Sequence, residues 1–82
     1  MKRYGFVGII IHKDKTTGLE VQKVLSEHPE IIVGRMGIPS VEDKTISVIT
    51  LIVNTTTDEL GALTGKLGKL KGVNVKSGLC KV

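Results

Sequence analysis

Apolar positions in this chain fall into six blocks, and their spacing assigns an element to each. Tyr4–His12 (Tyr-Gly-Phe-Val-Gly-Ile-Ile-Ile-His) is rich in β-branched and aromatic residues. It is apolar on both parities, which predicts a buried, central strand. The polar turn 13–18 follows, with Asp14, Thr16 and Thr17 each able to cap a helix. Thr17–His28 carries Val21, Val24, Leu25 and His28 at helical spacing, and Pro29 ends it because the residue before proline avoids helical geometry. Ile31–Pro39 reads as the second strand. Thr45–Asn54 is the strongest strand signal and is again apolar on both parities. Thr56 and Glu59 have capping-box spacing and open a second helix that runs to about Leu70 and closes at Lys71-Gly72. Val73–Lys81 alternates, as an edge strand with one drier face does.

The order β-α-β-β-α-β predicts an α+β fold of the ferredoxin-like kind: a four-stranded antiparallel sheet with both helices on one face. The 82 residues fit one domain spanning 1–82, since domains commonly need about 50–200 residues.

The other face of the sheet should be polar in a monomer, and here it is not. Phe6 and Ile10 share one parity of the first strand, with Val7, Ile9 and Ile11 on the other. Ile46, Val48 and Ile52 share one parity of the third strand, with Ile49, Leu51 and Val53 on the other. An exposed apolar sheet is sticky, so the pattern predicts a homodimer or a dimer of dimers, with Ile10, Ile46 and Val48 in the interface. A second candidate interface is the glycine stripe Gly61, Gly65, Gly68 on the second helix, opposite Leu60, Leu63, Leu67 and Leu70. Each interior glycine costs about 1 kcal/mol relative to alanine. The stripe is therefore either a surface of close approach or an exposed face under little packing pressure.

Composition narrows the function. The net charge is +4 and the sequence pI near 9.4, but the cations are scattered. Lys66, Lys69 and Lys71 alone crowd together, as a solvated helix face or an anion patch. The two aromatic residues, Tyr4 and Phe6, both lie in the first strand. RNA recognition motifs share this topology but stack bases on aromatics of the first and third strands. The third strand has none, so nucleic-acid binding is not expected. No run approaches the roughly 20 apolar residues that span a bilayer, and no signal peptide is legible. The lone Cys80 cannot form an internal disulfide, which fits a reducing, cytoplasmic setting.

Catalytic chemistry is not indicated. There is no nucleophile elbow and no phosphate loop. Small acylphosphatases share the topology but carry an arginine-containing phosphate loop after strand one that this chain lacks. His12, His28 and Cys80 show no metal-ligand spacing, so no metal and no cofactor is expected, with His12 beside the Asp14 turn the better of the candidates. The expectation is a protein that is not an enzyme.

Three segments carry a family resemblance: Val33-Gly34-Arg35-Met36-Gly37-Ile38-Pro39, Ile46-Ser47-Val48-Ile49 and Thr56–Gly68, of which Gly-Arg-Met-Gly-Ile-Pro is the most specific. Together they resemble the iron-only hydrogenase system regulators, small bacterial proteins similar in fold to ACT domains and to the C-terminal domain of nickel-responsive regulators. The resemblance covers nearly the whole chain. It implies a regulatory or ligand-sensing role tied to the iron-only hydrogenase system. ACT domains often bind amino acids at subunit interfaces near the turn after strand one. The matching residues are His12, Asp14, Thr16, Thr17 and Gly18, with Gly18-Leu19 similar to the usual glycine-hydrophobic entry into helix one. The proline common before that glycine is Thr17 here, and the histidine-rich ligand set of nickel regulators is not reproduced. Arg35, on an otherwise apolar strand, suits either an anionic ligand at an interface or an edge-strand charge that limits sheet pairing. The resulting expectation is a ligand-sensing homo-oligomer with an amino-acid-like ligand. The alternative is a module that docks another protein through its apolar sheet face.

Overall fold

The computed structural model of the chain describes residues 1–12, 18–41 and 44–81. Its elements are β1 (Arg3–His12), α1 (Gly18–Ser26), β2 (Ile32–Val41), β3 (Ile46–Thr55), α2 (Thr57–Gly68) and β4 (Val73–Leu79). The strands form one antiparallel sheet in the order β2-β3-β1-β4, so the two strands that are apolar on both faces are the central pair. This is the ferredoxin-like βαββαβ arrangement that the spacing predicts.

Alternation along the strands decides which residues meet the helices. Val7, Ile9 and Ile11 of β1 and Ile49, Leu51 and Val53 of β3 are buried. They pack with Val21 and Leu25 of α1 and with Leu60, Leu63 and Leu67 of α2 in one aliphatic core. The leucine stripe of α2 is thus the face that the helical period predicts.

Local chemistry sets the helix ends. Thr56 Oγ1 accepts from Glu59 N at 3.1 Å, and Thr56 N donates to Glu59 Oε1 at 3.4 Å, completing the capping box. Buried Thr55 donates to the same carboxylate at 3.0 Å. These hydrogen bonds favour the charged form and hold the Glu59 carboxyl below its ordinary value, the Thr55 hydroxyl contributing most. α2 ends at Gly68 with Lys69 as its C-cap, earlier than the expected Leu70. Gly72 follows in the turn, at a positive φ of 74° that glycine adopts without strain. α1 is also shorter than the pattern suggests. It stops at Ser26, and bonds from Glu27 N to Val24 O and from His28 N to Leu25 O tighten the last turn before Pro29.

β2 is bulged twice. Between Ile32 and Gly34 one extra residue faces β3, and another irregularity lies between Ile38 and Val41. The first bulge reverses the parity of the residues from Gly34 to Ile38, so Arg35 stands opposite Leu51, on the helix side of the sheet. Pro39 sits in this edge strand, where its missing N–H costs no ladder bond.

Candidate functional site

The bulged end of β2 stands away from α1 and leaves a cleft of about 210 Å³ between them. Its walls are mostly apolar: Ile11 from β1, Gly37, Ile38 and Pro39 from β2, and Val48 and Ile49 from β3. The polar groups come from Gly18 and Gln22 of α1, Arg35 of β2 and Ser47 of β3. Arg35 Nη2 donates to Gln22 Oε1 at 2.8 Å, which ties the edge strand to the helix. Ser47 Oγ donates to Pro39 O at 2.9 Å and holds the strand end in place.

The electrostatics of the cleft favour an anion. Arg35 is the charged residue among the described residues that line it. Its guanidinium has five donors, so a carboxylate can be accepted without releasing Gln22. Gly18 begins α1, and the first N–H groups of a helix lack intrahelical acceptors and carry partial positive charge. A ligand with a carboxylate and an apolar portion matches both halves of the lining.

Of the predicted ligand-binding residues, Gly18 and Arg35 line this cleft together. His12 does not join them. It pairs with Ile46, its Nε2 lies 3.4 Å from Asn74 Nδ2, and it belongs to the face of the sheet turned away from the helices. Asp14, Thr16 and Thr17 lie outside the described residues. Gln22 was not singled out by the sequence, although its position four residues after Gly18 places both on one helix face. Among the described residues no group of three or more His, Cys, Asp and Glu side chains is placed to hold a metal ion.

The predicted interface residues divide between two surfaces. Ile10, Ile46 and Val48 lie on the open sheet face, where Tyr4, Phe6, Ile10, Met36, Ile38 and Ile52 are all exposed. Gly61, Gly65 and Gly68 lie on the outer side of α2, where an added β carbon would meet nothing within 4 Å. Among the described residues, no other backbone comes within 4 Å of those β-carbon positions. Lys66, Lys69 and Lys71 are exposed. Lys66 spans from α2 to the end of α1, 3.4 Å from Glu27 Oε1 and donating to His28 Nε2 at 3.1 Å. That pair is solvated and worth at most about 1 kcal/mol. No helix among the described residues is long and apolar enough to cross a membrane.

Comparison with known proteins places this geometry. Among solved structures, the chain is similar to the uncharacterized protein TM1266 from Thermotoga maritima. The TM-score is 0.88 at 34% identity, over 99% of this chain and 100% of that one. It is also similar to the ACT domain from the GTP pyrophosphokinase of Chlorobium tepidum, with TM-score 0.77 and 20% identity over 95% of this chain and 100% of that domain. A formyltetrahydrofolate deformylase from Pseudomonas putida contains a similar unit (TM-score 0.64, 12% identity, 94% of this chain and 29% of that one). The latter two likenesses concern the fold, which is ACT-like. No curated protein matches the chain. The family model "TM1266-like: Iron-only hydrogenase system regulator, putative" matches residues 3–77. This chain therefore belongs to the TM1266-like family of iron-only hydrogenase system regulators.

Proposed function

We propose that this protein is a non-enzymatic, cytoplasmic regulatory module that works as a homo-oligomer and senses a small amino-acid-like ligand. The carrying observation is Arg35: an arginine turned by a bulge to the helix side, lining an otherwise largely apolar cleft at the start of α1. In this reading the ligand carboxylate binds the Arg35 guanidinium near the first turn of α1, and its apolar part rests on Ile11 and Ile49. Because β2 and α1 both contribute walls, occupancy fixes the edge strand against the helix. A ligand that binds one arrangement better than another shifts the balance between assembly states by the difference in its affinities. The family description suggests the iron-only hydrogenase system as the regulated process.

A thermal-shift screen against the amino acids and divalent metals tests the reading. Ligand at 100 times its dissociation constant adds about 2.7 kcal/mol of stability. For a domain of this size that raises Tm by roughly 10–20 °C. A carboxylate-bearing amino acid should produce this shift in a concentration-dependent way, and Arg35→Met should abolish it. Silence across the panel overturns ligand sensing and favours the second reading, a module that docks a partner protein through the exposed apolar sheet face.

A further inference from the structure

The open face of the sheet carries a pattern that fits a second copy of the same chain. Cross-strand register arranges its residues in rows that run across the strands. One row, at the level of Phe6, places Gly34, Ile52, Phe6 and Gly78 side by side. The next row, at the level of Gly8, places Met36, Thr50, Gly8 and Lys76 side by side, in the same strand order. Column by column the two rows are complementary in size. Glycine in one faces methionine in the other on β2, isoleucine faces threonine on β3, phenylalanine faces glycine on β1, and glycine faces lysine on β4.

The relief follows from these sizes. Phe6 is half exposed, and its ring lies against β4, where a β carbon on Gly78 would come within 3.1–3.2 Å of it. Beside this ridge, the missing side chain of Gly8 leaves an apolar hollow of about 190 Å³, bounded by Ile10, Val48, Asn74 and Lys76.

We propose that two copies pack open face to open face about a two-fold axis that crosses the strands at the level of Val7 and Leu51. That operation lays the Phe6 row of each copy on the Gly8 row of the other. Phe6 of each copy then sits over the Gly8 hollow of its mate, and Ile52 over Thr50. A two-fold contact uses the same patch twice and must be self-complementary, and the alternation of large and small on β1, β2 and β3 supplies that property, Gly78 on β4 being covered by the Phe6 ring of its own copy. Charge agrees with it. Lys76 carries the fixed charge of these two rows, and the operation sets it against the Phe6 ring that covers the mate's Gly78 rather than against a second Lys76. Size agrees as well. Four strands about 4.8 Å apart, three of ten residues and one of seven, span roughly 600 Å² in plan, before side-chain corrugation. A standard interface buries about 800 Å² of accessible surface on each partner. Aligned sheets cross at about 30°, so the meshing is tightest on the central strands, where the Phe6 and Gly8 columns lie.

This inference rests on the homo-oligomer reading above and adds the surface and its register. The test is sedimentation equilibrium on the whole chain from about 0.1 to 100 µM, with circular dichroism to verify folding. Gly8→Leu should fill the hollow. Its β carbon has room, since the nearest heavy atom would be Lys76 O at 3.8 Å. Phe6→Ala should remove the ridge. Each is expected to weaken self-association at least tenfold while the fold is kept. The double variant Phe6→Ala/Gly8→Phe moves the ridge to the other row and should associate more tightly than either single variant. A wild-type chain that stays monomeric overturns both this docking and the homo-oligomer reading. An oligomer indifferent to the single variants, or a double variant no tighter than they are, overturns this docking alone.

Discussion

Gly5 offers a quantitative test of the packing between β1 and β4. A β carbon built there would collide with the carbonyl oxygen of Gly78 and fall 2.7 Å from Leu79 Cδ2 and 2.9 Å from Leu79 Cα. Two of those three atoms are backbone, so a rotamer change cannot relieve the contact and β4 itself must move. β4 is an edge strand held on one side only, so it can move, at the cost of ladder bonds to β1. Overpacking of this kind costs typically about 1–3 kcal/mol. The whole domain, at about 0.05–0.15 kcal/mol per residue, is stable by about 4–12 kcal/mol. Gly5→Ala should therefore remove a substantial fraction of the stability and lower Tm by roughly 4–24 °C. Gly61→Ala is the control, because its β carbon would meet nothing within 4 Å. There alanine relieves an unfavourable helix residue and should add up to about 1 kcal/mol. Thermal unfolding with a far-ultraviolet circular dichroism readout measures both. The reasoning is refuted if Gly5→Ala unfolds within about 2 °C of the wild type. A marked loss in Gly61→Ala would instead place a contact between copies on the glycine stripe.

Two further predictions concern α2. Its buried Leu63 is 0% exposed, so Leu63→Ala should cost about 2–5 kcal/mol and lower the urea midpoint accordingly. An unchanged midpoint would mean that the helix does not cover the sheet. Glu59 has a folded pKa below its ordinary value of 4.5, first through the Thr55 hydroxyl and then through the Thr56 backbone. Its contribution is fully present above that value and is lost as the pH falls toward the lowered folded pKa. Thr55→Val removes the largest cause, so urea midpoints measured between pH 3 and 7 should fall less steeply on the acid side than in the wild type. Parallel profiles would refute the assignment.

The elements were legible because their signals are local. The Thr56–Glu59 spacing needs only four residues to specify a helix start, and the leucine period of α2 names its buried side. The apolar residues on both parities of β1 and β3 likewise announced a central pair with a second, uncovered apolar face. The grouping of the site was less legible, because it depends on register. His12 stands on an even position of β1, whose odd positions face the helices. Arg35 reaches the helix side only because one extra residue enters β2 between Ile32 and Gly34. No local pattern in Ile-Ile-Val-Gly-Arg-Met reveals that reversal, which separates His12 from Arg35 and brings Gln22 to the guanidinium. The fit between the Phe6 and Gly8 rows is hidden for the same reason. Each row draws on four strands that are distant in sequence.

The central claim is that the cleft beside Arg35 holds a carboxylate ligand. Nitrogen-15 NMR spectra of the whole chain, titrated with each amino acid in turn, test it most directly. One of them should perturb the amide signals of Gly18, Gln22, Arg35 and Gly37 together, and Arg35→Met should abolish the response. Perturbations confined to His12, Asn74 and the open sheet face, or none from any amino acid, would contradict the account.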